Sequence, residues 1–207
     1  MCKFLQGALK NIDIIIILKY YTIIGIMMEN IILVSPNLEH ETEAEEYVSE
    51  FLVDNSHVNG SAGLPRYKGN YKNWLEKIKN DMITENNEPE KIPANTFFAI
   101  RKNDNKIVGT VNIRFKLNEK LYIKGGHVGY SVRPFERKKG YATEILFLAL
   151  TKLRDMNVNN VLITCDKENI GSVKTIQKNN GILENEILDS ETNKIIQRYW
   201  INFDSIR

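Results

Sequence analysis

The chain has 207 residues, 43% of them hydrophobic and 26% charged, with a formal net charge of +2. Those proportions belong to a soluble globular protein of one domain with a sizeable core. So small and mixed a charge excludes nucleic acid as the expected partner, and two cysteines, Cys2 and Cys165, are too few for a disulfide framework or a zinc site.

At the start, Ile14–Leu18 and Tyr20–Met28 are bare apolar runs split by Lys19. They fall short of the ~20 apolar residues that a membrane span needs, and no small-residue cleavage site follows. Residues 1–27 are therefore expected to be an apolar extension outside the fold, with the domain running over 28–207. A signal peptide or membrane anchor is the alternative. Cytoplasmic location is the expectation for a chain with this cysteine usage.

Ile31–Val34 reads as a first strand, stopped by Ser35-Pro36. Glu39–Leu52 and Tyr71–Met82 carry helical periodicity, with Ala44, Tyr47, Val48, Phe51 and Leu52 facing inward on the first and Tyr71, Trp74, Leu75 and Ile78 on the second. Between them Asp54–Arg66 is a loop punctuated by Gly60, Gly63 and Pro65. Thr96–Arg101 and Lys106–Leu117 are the next strands. The second alternates poorly but is rich in β-branched residues, and Gly109 marks a candidate bulge. Asn118–Gly126 reads as a loop leading to a strand at His127–Val132.

That strand ends at Arg133-Pro134, since proline has no amide hydrogen for a sheet. A basic loop follows, Arg137-Lys138-Lys139-Gly140-Tyr141-Ala142, and runs into a helix with Ala142, Ile145, Leu146, Ala149, Leu150 and Leu153 on one face. The first amides of a helix lack an internal partner and sit at the positive end of its macrodipole. Gly140 lets a bulky anion approach the backbone. The expected guest is a phosphate or pyrophosphate, although the loop has neither the Walker pattern nor Gly-x-Gly-x-x-Gly.

The continuous apolar run Val161–Cys165 predicts a strand buried on both faces. Ser172–Asn180 predicts a short helix, with Asn169 or Ser172 near its cap and Gly181 after its end. Ile182–Leu188 and Lys194–Phe203 read as a closing hairpin.

The loop Arg137–Ala142 resembles motif A of the GNAT superfamily of N-acetyltransferases, Gln/Arg-x-x-Gly-x-Gly/Ala, and the element order from about Glu29 to Phe203 is similar to that of the family. Asn169-Ile170-Gly171-Ser172 stands where the family tends to carry Asn-x-x-Ala/Ser. The resemblance implies an α/β (α+β) fold: a mixed, mostly antiparallel sheet with splayed fourth and fifth strands and flanking helices. It also implies transfer of an acetyl group from acetyl-CoA to a primary amine of a small molecule or peptide, directly and without a metal. Its cofactor site would comprise backbone groups of Tyr130, Ser131 and Val132, the loop Arg137, Lys138, Lys139, Gly140, Tyr141, Ala142 and Thr143, and Asn169 with Ser172. The amine acceptor and a homodimer are left open.

For the chemistry, His127 is the first candidate for a base, with a surface histidine at a strand start as the bland alternative. Tyr130 either faces the acyl pocket or packs in the core. Arg198, Tyr199 and Trp200 border the substrate side or pack, and Cys165 reads as a small buried hydrophobe rather than a nucleophile. Where many members carry a proton-donating tyrosine, seven residues after the asparagine, this chain has Ile176. An acyl-CoA-binding module with weak or no catalysis is therefore the alternative function.

Overall fold

A computed structural model of the protein describes residues 30–83 and 92–203, so the extension at 1–27 lies outside the described residues. In chain order the elements are β1 (Ile31–Val34), α1 (Glu41–Val53), α2 (Tyr71–Asp81), β2 (Ala94–Arg101), β3 (Ile107–Arg114), α3 (Glu119–Lys124), β4 (Val128–Val132), α4 (Tyr141–Asp155), β5 (Asn160–Asp166), α5 (Ile170–Lys178), β6 (Ile182–Asp189) and β7 (Lys194–Asn202). The strands form two antiparallel sheets, ordered β1-β2-β3-β4 and β5-β7-β6. This is the mixed α+β architecture that the sequence implies.

The helix expected from Glu39 begins at Glu41, because Leu38–His40 form a 3-10 turn with Asn37 as its cap, and Leu52, expected to face inward in its last turn, is 60% exposed. Helix α3 falls inside the stretch read as a loop. Asn118 starts it by accepting the Leu121 amide at 2.9 Å, so a polar cap stands for the apolar periodicity that so short a helix lacks.

Poor alternation in β3 has a physical cause, for the strand is covered on both faces. Val111 and Ile113 pack with Ile145, Leu146 and Ala149 of α4. Ile107 packs on the other side with Tyr47 of α1, Trp74 of α2 and Phe98 of β2. Next to Gly109 the register shifts: Ala99 faces Gly109, but Ile100 faces Ile107, leaving Val108 as the extra residue of a bulge.

Two buried charged groups tie the helices to the strands. Arg133, just past β4, donates through Nε to Glu50 Oε1 at 2.7 Å and through Nη1 to Glu43, both on α1. Glu144 Oε1 on α4 accepts the amides of Asn30 (2.9 Å) and Ile31 (3.1 Å) at the start of β1.

The sheets meet at one point on their facing edges. His127, only 6% exposed, donates its amide to Leu162 O of β5 at 2.8 Å. Its Nδ1 accepts the Leu162 amide at 2.9 Å. The imidazole thus takes the place of a strand carbonyl. Beyond this point β4 and β5 share no ladder and diverge.

Burial pushes the His127 imidazole below the ordinary histidine range, which favours the neutral ring that this bond needs. A folded-state pKa below the unfolded value near 6.5 means that the unfolded chain binds more protons, so stability is lost as pH falls. The melting temperature of wild type is expected to drop relative to His127→Asn as pH falls below about 6.5. Replacement by leucine leaves the buried Leu162 amide unpaired and is expected to cost about 1–3 kcal/mol at neutral pH in a denaturant titration.

Candidate active site

The divergence of β4 from β5 opens a cleft of about 860 Å³. Its walls come from β4, the loop and first turn of α4, the start of α5, and the loop after α1. Alternation along the β3–β4 ladder decides what β4 offers. Arg114 N reaches His127 O and Arg133 N reaches Val108 O, so odd-numbered residues of β4 direct their backbone groups to β3. Tyr130 and Val132 therefore direct theirs to the cleft. The Val132 carbonyl accepts Arg137 Nε at 3.4 Å.

Ser131 departs from its expected role, because its backbone belongs to the ladder. Its hydroxyl is buried instead in a cluster, donating to Asn59 O at 2.6 Å and lying 2.9 Å from the Tyr47 hydroxyl and 3.0 Å from Thr110 Oγ1. Burial raises the Tyr47 phenol to about 12, so it keeps its proton. This cluster fixes the loop after α1 against β4. Gly60 completes the approach: its φ is +67°, and an added Cβ would stand 2.1 Å from Gly129 O.

At the start of α4 the amides of Thr143 and Glu144 both turn to Gly140 O, at 3.0 and 3.2 Å. Thr143 thus lines the cleft with its amide already paired. The amides of Lys138, Lys139, Gly140, Tyr141 and Ala142 have no acceptor among the described residues. Gly140 has φ +92°, and open space surrounds the position of its missing Cβ. Such a row of free amides at a helix start, with room above it, fits a large anion.

The three basic side chains of the loop separate in space. Lys138 lines the cleft. Lys139 does not, and its Nζ lies 2.7 Å from Oε2 of Glu136, which itself lines the cleft. Arg137 lines the cleft but is committed to the neighbouring loop, with Nη1 2.6 Å from Asp54 Oδ2 and Nη2 2.8 Å from Ser56 Oγ. Its expected charge on the anion is therefore shared with Asp54, whose carboxyl the Ser56 and Arg137 bonds hold below the usual range. Lys174 and Lys178, one turn apart on α5, line the same cleft and join no described ion pair. Sequence reading passed over them, although their i,i+4 spacing just beyond Asn169 was the available signal.

Asn169 caps α5, its Oδ1 accepting the Ser172 amide at 3.0 Å, and its side-chain amide remains on the cleft wall. Across the gap the Ser172 and Tyr130 hydroxyls are 3.0 Å apart. Tyr141 lines the cleft while its hydroxyl accepts from Arg101 at 3.1 Å. Ala142 adds little bulk beside it.

His127 is not on the cleft wall. Both its amide and Nδ1 are engaged at the sheet junction, so the structure does not place it as a base. The histidine that lines the cleft is His57, on the loop after α1, with Asn55, Ser56 and Asn59. Nothing in the local sequence marks it; the packing of Gly60 on β4, with the bonds of Ser131 to Asn59 O and of Arg137 to Ser56, brings that loop to the site. Arg198 and Tyr199 are buried in sheet contacts, with Arg198 Nε on Glu184 at 3.0 Å and Tyr199 on Gln197 at 2.7 Å. Cys165 is buried, and burial raises its thiol to about 11, which suits packing rather than attack. No group of histidine, cysteine or acidic side chains among the described residues could hold a metal ion.

Comparison with known proteins follows the same lines. No curated protein sequence matches the chain. Among solved structures, a microcin self-immunity acetyltransferase, MccE, in complex with acetyl-CoA and AMP, superposes with a TM-score of 0.61 at 20% identity, covering 84% of this chain and 93% of that one. The ribosomal-protein α-N-acetyltransferase RimL, in complex with coenzyme A, gives 0.62 at 14% identity over 86% and 96% of the two chains. RimJ of Mycobacterium smegmatis, with a CoA disulfide, gives 0.62 at 13% identity over 84% and 82%. At these identities the likeness is one of fold. The sequence profile of the acetyltransferase (GNAT) domain matches residues 31–181, most of the described chain, and with the splayed strands and the open helix start it establishes that this protein belongs to the GNAT acetyltransferase family.

Proposed function

We propose that the chain transfers an acetyl group from acetyl-CoA to a primary amine of a small molecule or peptide, by direct attack within one ternary complex. The observation that carries this reading is the row of unpaired amides from Lys138 to Ala142, opening on a cleft that continues between β4 and β5. Those amides and Lys138 would hold the diphosphate. Lys174 and Lys178 would face the remaining phosphate. The backbone of Tyr130 and Val132 would pair with the amides of the pantetheine arm, as a further strand would. The Asn169 side chain would reach the arm from the other wall. That solved relatives of the same fold hold acetyl-CoA or CoA supports the assignment.

Acyl transfer needs a neutral amine and a place for negative charge on the thioester oxygen. A cleft-facing strand amide, such as that of Tyr130, can serve as oxyanion donor without reorganising. An amine of a lysine type has a reference pKa near 10.4 and an α-amine about 7.7–8.0, so a base helps at neutral pH. His57 is placed on the cleft wall to take that proton, directly or through water. The loop that carries it also shapes the acceptor pocket.

A second reading, binding of acyl-CoA without turnover, is favoured by one observation. Ile176 fills the place of the usual tyrosine and is wholly buried. Steady release of free CoA thiol with any amine from a panel of peptides, amino acids, polyamines and aminoglycosides would reject it.

Gly140→Glu is expected to abolish CoA binding in calorimetry, because a carboxylate would enter the space above the free amides. Unchanged affinity would mean that the loop holds no diphosphate. His57→Ala is expected to lower kcat/KM for the amine about 100-fold at neutral pH. That loss should shrink as pH rises and the amine deprotonates unaided; a loss constant with pH would remove His57 as the base.

A further inference from the structure

A polar contact joins β4 to α5 across the cleft. The Tyr130 hydroxyl, carried by β4, lies 3.0 Å from Ser172 Oγ in the first turn of α5. One turn further along α5 stands Ile176, at 0% exposure in the apolar core, so that position offers no proton to the cleft. Tyr130 reaches the same region from the facing wall.

We propose that the Tyr130 hydroxyl, steadied by Ser172, donates a hydrogen bond to the sulfur of CoA as it departs, from the wall opposite Ile176. This inference rests on the acetyl-CoA reading above. An arm that begins on the amides before α4 and descends β4 passes Val132 and then Tyr130. Below Tyr130 the gap closes, because His127 and Leu162 join the two sheets. On the other side Gly60 packs on Gly129. The thioester is therefore stopped at the level of Tyr130. The neighbouring Ser131 hydroxyl is already bonded to Asn59 O. Either hydroxyl of the Tyr130–Ser172 pair can be the donor. When Ser172 donates to the phenol oxygen, the phenol proton is left for sulfur.

Electrostatics agree with this role. Burial, ahead of the Ser172 bond, raises the Tyr130 phenol to about 12, so it stays protonated and acts as a donor rather than a base. In the step itself the amine nitrogen forms a bond to the acetyl carbon. The carbon–sulfur bond breaks, and its electron pair goes to sulfur. Tyr130 keeps its proton while its hydrogen bond stabilises the thiolate. The proton that nitrogen releases leaves through the base and solvent, and the thiolate takes one from solvent, so atoms and charge balance.

The deciding measurement, a thiol titration, needs no knowledge of the acceptor. The ultraviolet thiolate absorbance of CoA bound to the full chain is titrated with pH in wild type and in Tyr130→Phe. A hydrogen bond to sulfur is expected to hold the bound thiol pKa about one unit lower in wild type. CoA affinity of the variant should stay within about threefold, and kcat with an active amine should fall about 100-fold with KM for acetyl-CoA little changed. Ser172→Ala, which keeps the phenol but frees it, should move the bound thiol in the same direction by less. Equal thiol pKa values in wild type and Tyr130→Phe, with CoA bound to both, would overturn the role of Tyr130 and leave the acetyl-CoA reading standing. Failure of wild type to bind CoA would overturn that reading itself.

Discussion

The geometry of this protein depends on a junction between two residues of facing strands. His127 and Leu162 exchange two hydrogen bonds, and one of the four partner atoms is an imidazole nitrogen rather than a carbonyl. A full ladder between β4 and β5 would have satisfied the backbone along both edges and left no cleft. A junction at one end holds the sheets together while the rest of each edge stays open. The backbone groups of Tyr130 and Val132 are then directed toward a gap, where a ligand with amides of its own can pair with them. The residue that looked most like a base is therefore the one that keeps the cleft open at the right end.

A second set of contacts brings the helical half of the chain to the same place. Arg133 carries the end of β4 onto α1 through Glu43 and Glu50. Being buried, its guanidinium is held by charge-assisted bonds to both carboxylates. The hydroxyls of Tyr47, Thr110 and Ser131 gather around Asn59 O and seat the following loop on β4. Arg137 then links that loop to the start of α4 through Asp54 and Ser56. The strand wall of the cleft and the loop facing it are thus one connected structure.

The division of labour within the cleft follows from these supports. Free amides and lysines gather at the α4 and α5 end, where charge must be held. Other parts of the walls carry the Tyr130 and Ser172 hydroxyls and the His57 imidazole, groups that can give or take a proton. Ile176 belongs to the core under α5, packing where a phenol elsewhere would act. The phenol on the cleft wall near that helix comes from β4 and lies 3.0 Å from the Ser172 hydroxyl.

Much of this was legible in the residues themselves. Proline after Val132, the glycine and bases of Arg137–Ala142, and the periodic face of α4 specify a strand, an anion loop and a helix by local rules: no amide on proline, no Cβ on glycine, and a 3.6-residue repeat. The apolar run of β5 and the cap at Asn169 are local in the same sense. Helix α3 escaped because its start depends on one side-chain cap. The poor alternation of β3 became intelligible only once both its faces were seen to be covered. What the chain order could not contain was proximity. His57 reaches the cleft because Gly60 lies on a strand nearly seventy residues later. Lys139 pairs with Glu136, and His127 is claimed by Leu162. Local chemistry names the kinds of groups that can act. Which of them face one another is decided by long-range packing, because backbone pairing and burial, not sequence distance, determine where each side chain comes to rest.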